Sequence, residues 1–272
     1  MHILVTNDDG IFAPGLAALE HELRKLGDVD VVAPATEQSG VSHSITFLSP
    51  LVCKEMFHNQ GQHPMAHRGW AVEGSPADCV KIGVFELCRF KPDLIVSGIN
   101  GGLNAGINVL YSGTVAAAIE GSFFGITSVA VSLEYDDRPQ FERAAQWARE
   151  LIEQLLQRED GKERGQGRLF SINIPTAAVR RGTADVKVVP MGIARYGQHF
   201  IKRQDPKGRT YYWATNDPPP EPTAELTDLT ALAEGHVTIT PLSFDMTQYD
   251  VMSKMKNWSL VATRLVGDER PG

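Results

Sequence analysis

The sequence contains little cysteine, no long apolar stretch and no surplus of basic residues. Its three cysteines, Cys53, Cys79 and Cys88, form no C-x-x-C pair, which is typical of free, buried thiols in a reducing compartment. No stretch of the 272 residues approaches the length of a membrane span. The formal net charge of −7 argues against a protein that binds broadly along the phosphate backbone of nucleic acid.

These absences predict a soluble, cytoplasmic protein with neither a membrane nor a nucleic-acid partner. The apolar run within residues 1–9 is too short for a signal-peptide core, and no basic segment precedes it. An apolar fraction of 42% and a charged fraction of 22% are ordinary for a globular chain. The length is enough for one large α/β domain, with or without an appendage.

Apolar periodicity in the first two-thirds of the chain predicts alternating strands and helices. The β-rich run His2–Thr6, a helical pattern that begins near Pro14 and stops at Gly27, and the run Val29–Ala33 form a βαβ unit. Such units place their strands in parallel. Further predicted elements are extended segments at 51–57 and 69–73, a helix from Ser75-Pro76 to Phe85, a strand at Leu94–Ser97, a helix at Thr114–Phe124, a strand at Ile126–Leu133, a helix at Phe141–Leu156 and a strand at Leu169–Ile174. We therefore predict an α/β fold, a Rossmann-like three-layer sandwich with a mostly parallel sheet.

The pattern changes after about residue 180. Strands and turns are expected at 185–215, a stiff connector at Pro218–Pro220, a strand at Gly235–Thr240 and a last helix near 246–262. We predict a core over 1–180 and a β-rich and helical arm over 181–272 that serves oligomerisation, within one domain overall. The arm is rich in aromatic side chains that an extended segment cannot bury alone: Tyr196, Phe200, Tyr211, Tyr212, Trp213 and Trp258. Exchange of this arm between subunits would bury them in a homodimer or homotetramer, whereas the alternative is an arm folded back on its own subunit.

Polar residues follow the predicted strands at their carboxyl ends, where open α/β sheets bind ligands. Asp8 and Asp9 come directly after the first strand, and Gly10 permits a turn in which both carboxylates converge. Two close carboxylates repel each other unless a cation separates them, and oxygen ligands suit Mg²⁺ or Mn²⁺. The alternative is a simple turn, since Asn, Asp and Gly are common turn residues.

Two further segments could hold an anion. Residues 97–106 are rich in glycine, so their backbone amides can approach a ligand closely, although the segment lacks the Walker pattern. Ser112, Gly113 and Thr114 precede an alanine-rich helix whose free amides can bind phosphate. The alternatives are a flexible surface loop for the first segment and ordinary N-capping by Ser112 or Thr114 for the second.

Several short motifs follow one another along the chain in a distinctive order. They are Thr6-Asn7-Asp8-Asp9-Gly10 with Pro14-Gly15, Gln38-Ser39-Gly40, Pro76-Ala77-Asp78-Cys79-Val80, Ser97-Gly98-Ile99-Asn100 with Asn104 and Gly106, Tyr111-Ser112-Gly113-Thr114-Val115, Asp205-Pro206 with Gly208-Arg209, Thr227-Asp228, and Ile239-Thr240-Pro241-Leu242. With these motifs the chain resembles the SurE (survival protein E) family of 5′/3′-nucleotidases over nearly its whole length.

The resemblance implies a metal-dependent, acid-phosphatase-like phosphomonoesterase that hydrolyses nucleoside monophosphates, with short polyphosphate as a further substrate. It implies one divalent cation, Mg²⁺ or Mn²⁺, per subunit, held by Asp8, Asp9, Ser39 and Asn100. Asp8, Asp9 and Asn100 are the expected catalytic residues. The implied phosphate-binding residues are Ser39, Gly40, Asn104, Ser112, Gly113 and Thr114. The resemblance also implies an arm-exchanged dimer or tetramer.

Two other functions stay open from the sequence. The first is a phosphatase that forms an aspartyl-phosphate on Asp8, although such enzymes usually separate their two acidic residues by one position, whereas Asp8 and Asp9 are adjacent. The second is a non-catalytic nucleotide-binding module of a stress response. Phosphate release from adenosine monophosphate separates the enzymes from the module, and a trapped phospho-aspartate separates the two enzymes.

Overall fold

The computed structural model describes residues 1–57, 67–157, 167–194, 200–214 and 225–260. The chain divides into two compact units, Met1–Leu242 and Ser243–Gly272. Tyr196, the Pro218–Pro220 connector and the end of the predicted last helix lie outside the described residues. Within the described residues, no helix combines the length and the apolar character needed to cross a membrane.

Nine strands of the first unit form one sheet in the order β3-β4-β2-β1-β5-β6-β7-β11-β8. The strands among the described residues are β1 His2–Thr6, β2 Asp28–Pro34, β3 Cys53–Phe57, β4 His67–Val72, β5 Leu94–Gly101, β6 Thr127–Leu133, β7 Leu169–Ile174, β8 Val186–Val188, β9 Phe200–Gln204, β10 Thr210–Ala214 and β11 Val237–Leu242. The central strands from β4 to β7 pair in parallel, whereas β3 and β11 run antiparallel to β4 and β7. The mostly parallel α/β sheet predicted from the sequence is confirmed.

Helices cover both faces of the sheet. They are α1 Pro14–Leu23, α2 Pro76–Ile82, α3 Gly113–Phe123, α4 Phe141–Gln157, α5 Thr176–Arg181, α6 Asp228–Ala233 and α7 Tyr249–Met255. Along β1, Ile3 packs in the cluster that contains residues of α1 and α4, and Leu4 packs in the cluster that contains residues of α2 and α3. Successive side chains of a strand point to opposite faces, so β1 is buried on both sides, as expected of a central parallel strand.

Several element ends differ from the sequence prediction. The helix predicted to reach Phe85 ends as an α-helix at Ile82 and continues as a π-helical turn at Gly83–Leu87. The strand predicted at Leu94–Ser97 extends to Gly101, with an irregular register against β6 between Ser97 and Asn100. The last helix spans Tyr249–Met255 rather than the longer segment near 246–262. Local periodicity does not report these ends, because tertiary pairing and capping set them.

The chain after residue 180 contributes to two places. The strands β8 and β11 extend the main sheet beyond β7, while β9 and β10 form a separate hairpin. Every residue of the hairpin strands is exposed, and the rings of Tyr211 and Trp213 meet edge to face at 6.4 Å. In the second unit, none of the seven residues of α7 is buried. The division into a core and an arm at residue 180 stays a prediction.

Candidate functional site

The turn after β1 brings an acidic pair to the carboxyl edge of the sheet. The Asn7 side chain closes this turn, because its Nδ2 donates to the Gly10 carbonyl at 3.0 Å and its Oδ1 accepts from the Gly10 amide at 3.1 Å. Gly10 has a φ of +101°, a conformation that favours glycine. The turn predicted as the simple alternative is therefore present, and Asn7 rather than either aspartate closes it. Asp8 and Asp9 are left for other contacts.

Asp8 lies against the N-terminus of α3. The Thr114 hydroxyl donates to Asp8 Oδ1 at 2.5 Å, and the Thr114 amide donates to Oδ2 at 3.1 Å. The positive end of the helix dipole stabilises a carboxylate at this point. A Cβ atom on Gly113 would lie 3.0 Å from Asp8 Cβ, so a side chain at this position would crowd the aspartate. Ser112 accepts a hydrogen bond from the Val115 amide at 3.1 Å, which is the N-capping role considered from the sequence.

The two aspartates share a strongly acidic environment. Burial raises the pKa of Asp8, an effect that the Thr114 hydrogen bonds oppose. Burial, followed by the charge of Asp8, raises the pKa of Asp9 to about 6, although the Gly101 amide donates to Asp9 and opposes the shift. The Glu37 carboxylate raises the pKa of both groups further. A divalent cation would reduce the repulsion between these carboxylates, and their oxygen atoms are ligands that suit Mg²⁺ or Mn²⁺.

The loop after β2 carries Ser39 to the same edge. The Gln38 amide donates to the Asp8 carbonyl at 2.8 Å, which joins this loop to the acidic turn. The Ser39 hydroxyl is exposed and donates to Glu37 Oε1 at 2.6 Å, so its contact is with Glu37 rather than with either aspartate. Gly40 is exposed, and no heavy atom lies within 4 Å of the place where its Cβ would be.

Several hydrogen bonds hold the rest of this loop against α2 and α3. The Ser42 amide donates to the Tyr111 carbonyl at 3.1 Å, and His43 Nε2 lies 2.7 Å from Glu120 Oε2. The Thr46 hydroxyl donates to Asp78 Oδ2 at 2.7 Å. The loop is therefore fixed at several points beyond Ser39, which limits the positions open to that residue.

Asn100 comes from the irregular end of β5. Its side-chain Nδ2 donates to the Gly102 carbonyl at 2.7 Å, and the next residue along the chain is the Gly101 whose amide reaches Asp9. Because Thr6 pairs with Ser97, the acidic turn and Asn100 leave neighbouring parallel strands at the same edge. The side-chain carbonyl oxygen of Asn100 keeps its acceptor capacity, since the hydrogen bond to Gly102 uses only the amide nitrogen.

Asn104 is clamped by residues that the sequence did not single out. Its backbone amide donates to Asn173 Oδ1 at 2.8 Å, and Asn173 Nδ2 donates back to the Asn104 carbonyl at 3.2 Å. The Asn104 side chain donates to Ser132 Oγ at 2.9 Å. The signal that could have found Asn173 and Ser132 is weak, since each lies in a buried strand that contains other polar residues as well.

Asp228 anchors the end of the glycine-rich segment. Its Oδ2 accepts from the Gly106 amide at 2.7 Å, its Oδ1 accepts from the Gly192 amide at 2.7 Å, and the side chain is only 1% exposed. Thr227 caps α6 beside it.

The structure thus brings Asp8, Gly113 and Thr114 into direct contact and joins Asp9, Ser39 and Asn100 to them through neighbours. Asn104 is held separately by Asn173 and Ser132.

The chain matches known proteins over almost its whole length. The family model "Survival protein SurE" matches residues 3–198. A protein named 5′-nucleotidase SurE from Rhodopirellula baltica is 59% identical over 261 residues, covering 96% of this chain and 99% of that protein. A protein of the same name from Caldanaerobacter subterraneus subsp. tengcongensis is 39% identical over 259 residues, covering 95% and 97%.

A solved structure agrees with these sequence relatives. The crystal structure of the SurE protein from Aquifex aeolicus superposes with a TM-score of 0.77 at 36% identity, covering 94% of this chain and 98% of that one. The family expected from the motifs is therefore confirmed by both kinds of comparison. The chain belongs to the SurE family.

Proposed function

We propose that this chain is a metal-dependent 5′-nucleotidase that hydrolyses nucleoside monophosphates to nucleoside and phosphate. The observation that carries the proposal is the contact between Asp8 and the N-terminus of α3, with Asp9 beside it. An acidic pair that suits a hard cation therefore lies next to backbone amides that suit a phosphate. The relatives that bear the name 5′-nucleotidase SurE cover the same length of chain and support the same activity.

Asp8, Asp9, Ser39 and Asn100 would hold one Mg²⁺ or Mn²⁺ per subunit. A bound cation of this kind supplies positive charge to a phosphoryl oxygen and lowers the pKa of a bound water. Asp8 is oriented for this role by its two hydrogen bonds to Thr114, and Asp9 by the Gly101 amide. Ser39 would first have to leave Glu37, so we expect its hydroxyl to turn from that carboxylate toward the aspartates.

The start of α3 would bind the phosphate. The Thr114 amide donates to Asp8, and the Val115 amide donates to Ser112. The Gly113 amide donates to neither side chain, so it is the first-turn amide that would bind the phosphate. The Ser112 hydroxyl accepts from Val115 and retains its own proton for donation. Gly40 and Asn104 would complete the phosphate site. Short polyphosphate presents the same terminal phosphate group and is a second substrate.

The aspartyl-phosphate alternative is disfavoured by the contacts of Asp8. Both of its carboxylate oxygens accept hydrogen bonds from Thr114, and the residue is only 5% exposed. In the proposed site, the cation uses the lone pairs that Thr114 leaves free on Asp8, so Asp8 acts as a metal ligand and not as the nucleophile. Rapid acid quench of the enzyme with ³²P-labelled substrate should therefore trap no phosphorylated Asp8.

An assay of the purified protein tests the function directly. We expect adenosine monophosphate to release inorganic phosphate when Mn²⁺ or Mg²⁺ is present. A chelator should lower the rate by roughly 100-fold or more, because the charge stabilisation by the cation is worth several kcal/mol. Excess Mn²⁺ added after the chelator should restore the rate. If nucleotide binds but no phosphate appears with either cation, the chain is a non-catalytic nucleotide-binding module instead.

We also propose that the protein is a homodimer or a homotetramer in which the C-terminal arm is exchanged. The support is the β9–β10 hairpin, where Phe200, Tyr212 and Trp213 are each about 60% exposed although they are large and apolar. A neighbouring subunit would bury them. We expect light scattering at micromolar concentration to give the mass of a dimer or tetramer.

A matched pair of variants makes this test specific to the hairpin. Tyr212→Ser combined with Trp213→Ser should shift the mass toward the monomer, because two exposed aromatic contacts are removed. Tyr135→Ser, which changes a tyrosine that is 73% exposed outside the hairpin, should leave the mass unchanged. A monomeric mass for the unmodified protein would show that the arm does not join subunits.

A further inference from the structure

Three side chains of types that bind metals lie close together near the amino ends of β1 and β2, whereas the acidic pair follows the carboxyl end of β1. His2 begins β1, Asp30 lies in the first half of β2, and Cys88 directly follows the π-helical turn. One ligand atom from each residue lies within 4.8 Å of the other two. Across the described residues, no other trio of His, Cys, Asp or Glu side chains meets this condition. Asp8 and Asp9 follow the carboxyl end of β1, so this trio belongs to a different place in the fold.

The imidazole of His2 is buried without a proper hydrogen-bond partner. The residue is 7% exposed, and neither ring nitrogen makes a well-directed hydrogen bond to a described residue. Nε2 lies 2.9 Å from Asp30 Oδ2, which is close enough for an ion pair, but the direction does not suit a hydrogen bond. A buried polar atom without a partner is costly, and Nδ1 has neither a hydrogen bond nor an ion pair to a described residue.

The surroundings of the trio hold each residue in position. The His2 amide donates to Asp93 Oδ2 at 2.8 Å, and the imidazole and the Phe90 ring form a T-shaped pair with a centroid distance of 5.9 Å. Arg89 donates to Asp30 through its backbone amide at 3.0 Å and through Nε at 3.1 Å. The Cys88 amide donates to the Gly83 carbonyl at 2.9 Å. Hydrogen bonds of this kind fix the orientation of ligands around a metal.

We propose that His2, Asp30 and Cys88 form a second cation site, selective for a borderline-soft divalent ion such as Zn²⁺. One nitrogen, one oxygen and one sulfur are a donor set that zinc accepts and magnesium does not. Zinc bonds of about 2.0–2.3 Å place ligand atoms roughly 3–4 Å apart, and the 2.9 Å between His2 Nε2 and Asp30 Oδ2 is close to that spacing. Asp30 also lines a surface depression together with Arg24, Glu55 and Arg89, from which solvent would supply a fourth ligand.

Binding would change the protonation of Cys88. Burial, together with the Asp30 carboxylate, raises the pKa of the Cys88 thiol to about 12, so the free protein holds a neutral thiol. A bound cation stabilises the thiolate, and the thiol proton then leaves to the solvent as the sulfur–metal bond forms. The metal would tie β1, β2 and the segment after α2 together, which is a structural role separate from phosphate hydrolysis.

Cobalt absorption spectroscopy tests this site apart from the catalytic one. Co²⁺ added to the purified, metal-free protein should produce a sulfur-to-cobalt charge-transfer band in the near ultraviolet, which the all-oxygen set around Asp8 and Asp9 cannot give. Zn²⁺ should displace Co²⁺ and abolish this band when one equivalent of Zn²⁺ is bound at the sulfur-containing site. Cys88→Ser should remove the band, whereas the matched control Cys53→Ser, which changes another half-buried cysteine, should retain it.

A second variant covers the case in which the serine substitution unfolds the chain. His2→Gln keeps the thiol but should weaken Co²⁺ binding by at least about 10-fold, as measured by titration of the same band. Both variants should retain phosphate release from adenosine monophosphate, so a failure of the nucleotidase assay and a failure of this site are distinguishable. A missing band in the unmodified protein, or a band that survives Cys88→Ser, would overturn the proposal.

Discussion

Asp9→Asn is expected to lower kcat/KM for adenosine monophosphate by roughly three orders of magnitude, which is about 4 kcal/mol of transition-state stabilisation. The amide keeps the shape of the side chain but loses the charge that would hold the cation. Asp9 is the cleaner position for this test, because Asp8 also accepts two hydrogen bonds from Thr114 at the start of α3. Steady-state phosphate release at saturating Mn²⁺ measures the effect.

The fold of the Asp9→Asn protein should stay intact. Without a metal, its free energy of unfolding should equal or slightly exceed that of the parent protein, because a like charge beside Asp8 and Glu37 is gone. Asp28→Asn is the matched control, since it makes the same chemical change at an exposed residue at the start of β2. Parent-like turnover in Asp9→Asn would remove Asp9 from the proposed site.

Asp228→Ala is expected to lower the free energy of unfolding by about 3–5 kcal/mol. The substitution leaves the buried amides of Gly106 and Gly192 without their acceptor. It also frees the end of the glycine-rich segment that carries Asn104, so the KM for nucleotide should rise in the fraction that remains folded. Urea denaturation gives the stability, and initial rates at low temperature give the KM.

Asp205→Ala provides a contrast in which the hydrogen bonds are similar but the burial is not. Asp205 accepts from the backbone amides of Lys207 and Arg209, each at 2.9 Å, in the exposed turn between β9 and β10. Water can replace the lost carboxylate there, so the loss of stability should be much smaller than for Asp228→Ala. Equal losses in the two variants would show that burial does not set the energetic role of Asp228.

Local patterns were sufficient to predict most of the central sheet. Apolar periodicity predicts the strand at His2–Thr6, and helix-start signals predict the helix that begins at Pro14. The acidic pair was also predictable, because Asp8 and Asp9 stand where an apolar strand run stops. The register irregularity before Asn100 was not predictable, since it reflects pairing with β6, a strand formed later in the chain.

Contacts between distant parts of the chain were out of reach. Asp228 and Gly106 are 122 residues apart, and Asn173 and Asn104 are 69 residues apart, so no local pattern links either pair. The three residues Val186–Val188 are too few to show a strand period, yet they pair with β11 at the edge of the sheet. The motif Thr227-Asp228 marked the position of Asp228, but its partner became known only from the structure.

The anchor at Asp228 also has a consequence for the order in which a newly made chain acquires its site. A ribosome releases the strands from β1 to β7 before it adds Asp228 and β11, so much of the parallel sheet can assemble while the rest is still being translated. Until residues 228–242 emerge, the Gly106 amide lacks its acceptor and β7 lacks its outer neighbour β11. Nascent chains that stop short of residue 228 would therefore contain much of the sheet but could not fix the glycine-rich segment, so the proposed site is complete only after Asp228 and β11 have been made.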